Sequence, residues 1–294
     1  MDKGKKKKVA LILSGGAARG YAHIGVIKGL EELGIKPDLV IGTSMGSLVG
    51  GFYASGFTAD EMERIAGELN SIKIARLFPP RPSVKGIVDG KNVVNFLRNY
   101  LGNQKIEDLP VKYAAVAVDL LQNRELVITR GDLVTAIRMS ISIPGFFVPV
   151  ERKESLIVDG GILDNLPVRV TSLFGEEFIK IAVNVLPILE YTIQEVNVDE
   201  FEEEEVHESH LIRVFKFPYR KRREYNVMMI LIQSGQLMTS EVIAERIRQS
   251  RPDVLINVDT PIGPHEFHKA IPAIESGYKA FLEKKEELIR LFNL

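Results

Sequence analysis

One stretch of the sequence decides the fold: Leu39-Val40-Ile41-Gly42-Thr43-Ser44-Met45-Gly46. Its first three residues form a short apolar run, which is typical of a strand buried on both faces. From Met45 to about Ala54, small and apolar residues recur at helical spacing. The stretch therefore predicts a strand that passes through a sharp turn at Ser44 directly into a helix.

The same order of elements occurs earlier in the chain. Val9–Leu13 is an apolar run that predicts a first strand, and a glycine-rich segment at residues 15–20 follows it. Helical spacing then continues from Ala22 until Gly34. Two successive strand–turn–helix units indicate a parallel sheet covered by helices. The right-handed crossover rule places both turns at the carboxyl edge of that sheet, where ligands bind.

The remaining pattern extends this α/β arrangement without an internal repeat. We expect later strands at 111–118, 125–129, 155–158, 178–185 and 253–258, the first two as a hairpin. We expect later helices at 60–69, 92–101, 133–139 and 267–292. A single domain over residues 9–294, with a mostly parallel sheet of six or seven strands, accounts for this pattern.

Two segments fall outside that pattern. Residues 1–8 form a lysine-rich tail. Residues 187–223 form a charged excursion, in which a block of carboxylates is followed by a block of basic residues. Charge blocks are usually solvated surface, but long loops in compact domains are often functional. The excursion is therefore either a solvated surface loop, or a lid or membrane-facing segment.

The composition limits the classes of function. With 294 residues, 45% hydrophobic residues and a net charge of −1, the chain is an ordinary globular protein. Its balanced charge gives no general attraction to nucleic acid, and the absence of cysteine excludes disulfides and a Cys nucleophile. The apolar runs are too short for a membrane helix or a secretion signal, so we expect a cytoplasmic protein. The lysine-rich tail leaves peripheral contact with anionic lipid as an alternative.

A serine nucleophile is the first chemical prediction. Ser44 lies between Gly42 and Gly46 in the pattern of a nucleophile elbow, although a serine that only caps the helix is the alternative. None of the five histidines follows a strand beside a glycine, so a histidine triad is not supported. The pairs at 207/210 and 265/268 have the spacing of metal ligands, but surface or capping histidines are favoured, so no metal site is predicted. Asp159 does end an apolar run and precedes two glycines, so it is the better partner, unless it only forms a turn.

The glycine-rich segment 15–20 has backbone amides near a helix N-terminus, which form a natural anion site. A Walker loop needs lysine after its last glycine, but Tyr21 follows Gly20. A dinucleotide fold needs an acid at the end of the second strand, whereas Asp38 precedes that strand. Nucleotide binding is therefore not predicted.

Together these motifs resemble the patatin-like phospholipase family, in particular its compact bacterial members. The resemblance covers about residues 8–186 and rests on three stretches in the order of the family: Ser14–Gly20, Gly42–Gly46 and Asp159–Gly161. Arg138-Met139-Ser140 and Pro144 are also similar to the segment that precedes the aspartate motif in the family. The resemblance implies a three-layer α/β sandwich and an enzyme that hydrolyses carboxylic esters of lipids.

The resemblance also implies roles for individual residues. Ser44 would be the nucleophile and Asp159 the general base of a dyad that needs no metal or cofactor. The elbow and the dyad would depend on glycines at Gly42, Gly46, Gly160 and Gly161. The oxyanion hole would be formed by the glycine-rich segment, namely Gly15, Gly16, Ala17, Ala18, Arg19 and Gly20. One departure is Ala17, where the family often has glycine.

Several alternatives stay open at this point. Arg19 either binds a lipid phosphate or braces its own loop. Four apolar residues either line an acyl pocket or belong to the core: Ile143, Phe146, Phe147 and Val148. The substrate is a lipid or another acyl ester, so a soluble esterase or thioesterase is an alternative. A second alternative is a regulatory protein that has the same fold and little turnover. No nucleic-acid partner is expected, and the oligomeric state is undetermined.

Overall fold

The computed structural model describes residues 8–81, 83–189, 195 and 227–294. Residues 1–7 of the tail and most of the charged excursion at 187–223 lie outside these described residues. The chain divides into two compact units, one of residues 1–188 with 239–294 and one of residues 189–238. The motifs that carry the predicted chemistry all lie in the larger unit.

The described residues contain a mixed α/β fold with a central sheet flanked by helices. The strands are β1 (Lys8–Leu13), β2 (Leu39–Thr43), β3 (Gly86–Val88), β4 (Lys112–Asp119), β5 (Arg124–Ile128), β6 (Gly145–Phe147), β7 (Val150–Arg152), β8 (Ser155–Asp159), β9 (Phe178–Asn184) and β10 (Val254–Asn257). The helices are α1 (Ala22–Glu32), α2 (Met45–Ala54), α3 (Ala59–Gly67), α4 (Ser71–Leu77), α5 (Lys91–Leu101), α6 (Leu133–Ser140), α7 (Val227–Ser250) and α8 (Ala270–Phe292).

The central sheet follows the order β10-β9-β1-β2-β4-β8-β7, and β5 also pairs with β4. The pairs that connect β10, β9, β1, β2 and β4 are parallel, whereas β5, β7 and β8 run antiparallel to their neighbours. The α/β class with a mostly parallel sheet is therefore confirmed. Because β1 and β2 are neighbours and parallel, the turns that follow them lie at the same carboxyl edge.

Both faces of the sheet are buried, as the continuous apolar runs predict. Along β1, Leu11 and Leu13 pack into the larger apolar cluster on one face. Ala10 and Ile12 pack into a second cluster on the other face. This alternation explains why the strand tolerates no polar residue between Val9 and Leu13.

Helices α1 and α8 pack with their backbones in close contact. A Cβ at Gly25 in α1 would lie 1.9 Å from the carbonyl oxygen of Ile274 in α8. Reciprocally, a Cβ at Gly277 in α8 would lie 1.9 Å from the carbonyl oxygen of Ala22. Glycine at these two positions therefore lets the last helix of the chain cover the first.

The expected elements occur with small shifts at their ends, and some elements were not expected. In the described residues, the main sheet has eight strands rather than six or seven, and β3 and β6 form a separate two-stranded sheet. The last helix begins at Ala270 rather than at Phe267. Helices α4 and α7 were not predicted at all.

Among the described residues, no helix combines the length and the apolar character that crossing a bilayer requires.

Candidate active site

Ser44 occupies the sharp turn that its sequence context predicts. It follows β2 directly and is the N-cap of α2, with a backbone φ of 54° and ψ of −124°. A non-glycine residue with positive φ is strained, and a strained strand-to-helix turn is the hallmark of a nucleophile elbow. The backbone N–H of Ser44 donates to Oγ of Ser140 at 2.9 Å, which helps to hold the turn. The serine lies at the amino end of a ten-residue helix, where a developing negative charge is stabilised.

Glycines on both sides of Ser44 make this turn sterically possible. A Cβ at Gly42 would lie 2.3 Å from the carbonyl oxygen of Gly46. A Cβ at Gly46 would lie 2.3 Å from the carbonyl oxygen of Leu13 at the end of β1. The elbow thus packs backbone against backbone, and both predicted elbow glycines are needed for space.

The sheet register brings Asp159 to Ser44. Strands β2 and β8 both pair with β4, on the edge that β5 leaves open. On that edge, Thr43 lies opposite Val116 and Asp159 lies opposite Ala117, the next residue of β4. The two strands therefore meet end to end, and the residue after Thr43 is the nucleophile candidate. A Cβ at Gly160 would lie 2.5 Å from the carbonyl oxygen of Val116, so this approach also requires a glycine.

Asp159 is a buried carboxyl group with a perturbed pKa. Its side chain is shielded from solvent, and Oδ1 accepts a hydrogen bond of 2.8 Å from the backbone N–H of Gly161. Burial raises the pKa of Asp159 to about 6, although the Ser44 hydroxyl and the Gly161 amide act in the opposite direction. A carboxylate with such a pKa is a stronger base than an ordinary aspartate at the surface.

The contact between the two side chains is loose. The Ser44 hydroxyl is close enough to lower the pKa of Asp159, yet Oδ2 of Asp159 makes no well-formed hydrogen bond within the described residues. Such a contact is ordinary without substrate, because catalytic hydrogen bonds are often long before substrate binds. Ser44 and Asp159 are thus neighbours with one carboxylate oxygen free to accept a proton.

The glycine-rich segment lies against Ser44, as predicted, but only part of it offers free amides. A Cβ at Gly15 would lie 3.0 Å from Cβ of Ser44. The N–H of Gly15 donates to the Asn165 carbonyl at 3.1 Å, and that of Ala18 donates to the Pro264 carbonyl at 3.0 Å. The N–H of Arg19 donates to the carbonyl of Gly16, within the segment itself.

Gly20 lies within a 3-10 helix at Ala17–Tyr21, and the amides of Gly16 and Ala17 lie at the start of that turn. Neither has an acceptor within the part of the chain that the structure describes. The backbone of Ala17 has a φ of 50°, a conformation that glycine adopts with less strain. Alanine at this position therefore still presents a free amide, but its backbone conformation is less favourable than it would be for glycine.

Arg19 braces its own loop in this structure. Its Nε donates to the carbonyl of Ile262 at 3.2 Å. Burial lowers the pKa of Arg19, and the nearby Asp259 carboxylate partly opposes this effect. These contacts favour the bracing role over phosphate binding.

No described histidine is placed as a catalytic base. His23 is fully buried beneath the glycine-rich segment and donates from Nε2 to the Ser14 carbonyl at 2.8 Å. Burial lowers the pKa of His23 to about 4, so it is neutral at neutral pH. His265 and His268 are exposed in the turn before α8, and His207 and His210 lie outside the described residues.

An apolar cavity begins at the residue after Ser44. Its volume is about 80 Å³, and its walls come mainly from helices α1 to α5. Met45 and Tyr21 line the end beside the elbow, and Phe52, Met62 and Phe96 are among the other lining residues. None of the four residues considered for an acyl pocket lines this cavity, which favours the alternative that they belong to the core: Ile143, Phe146, Phe147 and Val148.

Two of these residues contact an aromatic ring that lines the cavity. Phe78 lines the cavity. Its ring centroid lies 5.8 Å from the ring centroid of Phe146 and 6.0 Å from that of Phe147. Phe147 itself is buried, which agrees with the alternative reading of these side chains as core.

Two functional candidates were missed in the sequence. Ser140 holds the Ser44 amide and donates from its Oγ to the Val116 carbonyl at 2.6 Å. Asn165 holds the Gly15 amide. Ser140 lies in the segment that resembles the family. Asn165 follows Asp159 by six positions, and that proximity was the available signal.

Comparison with known proteins identifies the class to which this fold and site belong. The sequence model of the patatin-like phospholipase family matches residues 11–172, more than half of the chain. The chain therefore belongs to the patatin-like phospholipase family. The match includes all three motifs from which the resemblance was inferred.

The relatives are longer proteins. An uncharacterized NTE family protein of Mycobacterium tuberculosis is 46% identical over 160 residues, which cover 54% of this chain and 44% of that protein. Lysophospholipase NTE1 of Eremothecium gossypii is 33% identical over 166 residues, covering 54% of this chain and 11% of that protein. The chain thus spans less than half the length of these curated relatives. A solved structure, VipD from Legionella pneumophila, is 14% identical with a TM-score of 0.48, covering 96% of this chain and 67% of VipD.

Proposed function

We propose that this chain is a serine hydrolase that cleaves carboxylic esters of lipids, with Ser44 as nucleophile and Asp159 as general base. One observation carries the proposal. A serine on a strained elbow lies beside a buried carboxyl whose pKa is raised to about 6, with one oxygen free. Membership of the patatin-like phospholipase family supports the same chemistry.

The acylation step follows from this arrangement. Ser44 Oγ attacks the ester carbonyl carbon while its proton passes to Oδ2 of Asp159. The carbonyl oxygen becomes an oxyanion, and the free amides of Gly16 and Ala17 donate hydrogen bonds to it. When the tetrahedral intermediate collapses, the proton on Asp159 passes to the leaving alkoxide, and the alcohol departs. The acyl group is then joined to Ser44 as an ester.

Deacylation uses the same groups in reverse. Water attacks the acyl carbon, and Asp159 accepts its proton. The second tetrahedral intermediate collapses, and the proton passes from Asp159 to Ser44 Oγ. The net reaction consumes one ester and one water and forms one acid and one alcohol. No cofactor or metal is required for either step.

The apolar cavity supports a long acyl chain as the group that is transferred. Met45 follows the nucleophile and lines the cavity, so an acyl group on Ser44 has an apolar space next to it. Each methylene of the acyl chain that enters this space adds binding energy in proportion to the apolar area that it covers, so longer chains are favoured. The fungal relatives of this chain carry the name lysophospholipase, which agrees with a lipid substrate.

Labelling with a fluorophosphonate probe tests the dyad. We expect a covalent adduct on Ser44, mapped by mass spectrometry, in the native chain and in the control Asp108→Asn, an exposed position. The adduct should be absent from Ser44→Ala and at least about 10²-fold slower to form in Asp159→Asn, since general-base catalysis contributes roughly 10²–10⁴-fold. Native labelling and hydrolysis in a folded Asp159→Asn would exclude Asp159 as the base.

Chain-length dependence tests the cavity. Ala66 lines the cavity from α3, so Ala66→Phe should fill part of it. We expect the rate of hydrolysis of C12 to C16 esters to fall by at least about tenfold, which corresponds to an activation free energy higher by roughly 1.4 kcal/mol. The rate of butyrate hydrolysis should stay near that of the native chain. Ala75→Phe, at an exposed position of α4, is the matched control. Equal losses on short and long esters would contradict the acyl-chain assignment and favour a short-chain esterase.

A further inference from the structure

Asn165 connects the three parts of the candidate site. Its backbone carbonyl accepts the hydrogen bond from Gly15 at 3.1 Å. The carbonyl of the preceding residue, Asp164, accepts a hydrogen bond of 2.9 Å from the Thr43 hydroxyl, next to Ser44. The segment after Asp159 is thus joined through its backbone to the elbow and to the glycine-rich segment.

The side chain of Asn165 fills the gap between the two glycine turns. Its Nδ2 lies 2.8 Å from the position that a Cβ of Gly15 would occupy, and Cβ of Ser44 lies 3.0 Å from that same point. Nδ2 also lies 2.8 Å from the position that a Cβ of Gly161 would occupy. The amide nitrogen is therefore a neighbour of the nucleophile, across glycines that leave it room.

The hydrogen-bonding state of this side chain is unusual for a buried amide. Within the described residues, Oδ1 of Asn165 is sealed from solvent and has no partner. Nδ2 has no acceptor among the described residues either, but it keeps some exposure to solvent. In buried side-chain amides, both the oxygen and the nitrogen normally have hydrogen-bond partners. An N–H group without an acceptor beside a nucleophile therefore points to a partner that arrives with the substrate.

The oxyanion hole has a place for such a donor. The amides of Gly15 and Ala18 are already occupied, which leaves Gly16 and Ala17 as backbone donors. An oxyanion accepts further hydrogen bonds, and asparagine side chains supply them in other hydrolases.

We propose that Nδ2 of Asn165 donates a hydrogen bond to the oxyanion that forms on Ser44, as a catalytic residue of the reaction. The inference rests on the proposed function. Asn165 keeps its proton throughout: the carbonyl π pair moves to oxygen when the Ser44 Oγ–carbon bond forms, and the proton of Ser44 passes to Asp159. Because this donor faces charge that exists only in the transition state and intermediate, it acts on kcat and not on KM.

The test compares Asn165→Ala with Asn103→Ala, a change at an exposed asparagine. We expect Asn165→Ala to lower kcat by about 10²–10³-fold and to leave KM within about threefold. Affinity for a dodecyl trifluoromethyl ketone, whose adduct with serine carries an oxyanion, should fall by the same factor as kcat. Affinity for dodecanol, which forms no adduct, should remain native. Asn103→Ala should match the native chain throughout.

Asn165→Asp is a second variant for the case that Asn165→Ala does not fold. It keeps the shape of the side chain and replaces the N–H donor by an oxygen. It should show the same pattern with at least as large a loss. Native kcat and ketone affinity in a folded variant would overturn the inference, and so would equal losses of ketone and alcohol affinity. If the native chain forms no ketone adduct on Ser44, the proposed function fails as well. An adduct that Ser44→Ala abolishes and Asn165→Ala leaves unchanged overturns the role of Asn165 alone.

Discussion

At the scale of single residues, Asp159 links activity to stability. Its pKa of about 6 in the folded chain exceeds the value of about 3.9 for an unperturbed aspartate. The unfolded chain therefore releases this proton at a lower pH than the folded chain does. As the pH rises from about 4 to 6, ionisation of Asp159 increasingly favours the unfolded state.

We expect Asp159→Asn to stabilise the folded chain at neutral pH. The shift in pKa corresponds to roughly 2–3 kcal/mol that the native chain loses above pH 6 and retains below pH 4. Urea unfolding at pH 7.5 and at pH 4 should thus show a stabilised variant at the higher pH and little difference at the lower. Asp108→Asn should show no such pH-dependent gain. A variant that is less stable at pH 7.5 would contradict a raised pKa at Asp159.

The same pKa sets the pH dependence of catalysis. Asp159 accepts a proton in the proposed mechanism, so it must be ionised in the free enzyme. We expect kcat/KM to rise with pH through an apparent pKa of about 6 and then to level off. Rates measured from pH 4.5 to 8 on a soluble ester would reveal the transition. A transition near pH 4 would mean that Asp159 is solvated in the working enzyme.

Ala17 is strained at a position where glycine would not be. Its φ of 50° is unfavourable for a side chain with a Cβ, so Ala17→Gly should raise the free energy of unfolding by up to about 1 kcal/mol. Urea denaturation measures the change. Ala18→Gly is the control, because Ala18 is fully buried and has no positive φ, so its loss of a methyl group should destabilise the chain. Equal effects of the two substitutions would contradict strain at Ala17.

At the scale of elements, the contact between α1 and α8 is the most sensitive to size. Gly277→Ala places a methyl group 1.9 Å from a backbone carbonyl oxygen, which cannot move without displacing α1. We expect a loss of at least about 2 kcal/mol, since overpacking usually destabilises by 1–3 kcal/mol. Thermal unfolding is the measurement.

Gly67→Ala provides the matched helical control for that contact. Its Cβ would lie 3.5 Å from the side chain of Ile271, which is an ordinary contact. Replacing glycine by alanine in a helix gains roughly 0.5–1 kcal/mol when space allows. If Gly277→Ala behaves like Gly67→Ala, the two helices are not in backbone contact.

Elements could be predicted from the sequence where local pattern and burial agree. The strands β1 and β2 are short apolar runs that end at glycines, and α1 and α2 follow with clear spacing. Helix α4 has only seven residues and none of them is buried, so the apolar pair Ile74 and Leu77 is too short a pattern to identify a helix. Strands β3 and β6 have three residues each, too few to show a period.

In the candidate site, too, the residues marked by a local sequence pattern could be predicted and the others could not. Ser44 and Asp159 each end an apolar run beside glycines, a signal that lies within a few residues of sequence. By contrast, the Ala18 amide is occupied by the carbonyl of Pro264, almost 250 positions later, and only the folded chain brings the two together. The four residues considered for an acyl pocket do not line the cavity, because its walls come mainly from α1 to α5, which precede them in the chain.

At the scale of the whole molecule, the part of the chain that matches the family does not contain the whole sheet. Strand β1 pairs over six residues with β9, and β9 pairs with β10, both beyond residue 172. Helix α8, which covers α1, also lies beyond that residue. Without these elements, β1 becomes an exposed edge and the glycine face of α1 meets solvent.

We therefore expect a chain of residues 8–175 not to fold on its own. It should aggregate or lack a cooperative thermal transition, and its Ser44 should not react with the fluorophosphonate. A chain of residues 8–294, which lacks only the basic tail, should unfold cooperatively and react normally. Circular dichroism and labelling of the two chains make the comparison. A cooperative, reactive 8–175 fragment would show that the last strands and α8 are dispensable.

The strained elbow has a consequence for laboratory evolution. Glycine would relieve the backbone at Ser44, and asparagine would remove the buried charge at Asp159, so the two residues that the proposed mechanism needs most each oppose stability. A library of variants screened only for survival after heating would enrich such substitutions and drift towards inert proteins. Screening for heat resistance in this chain must therefore include a second selection for turnover, or the improved variants will be those that have lost it.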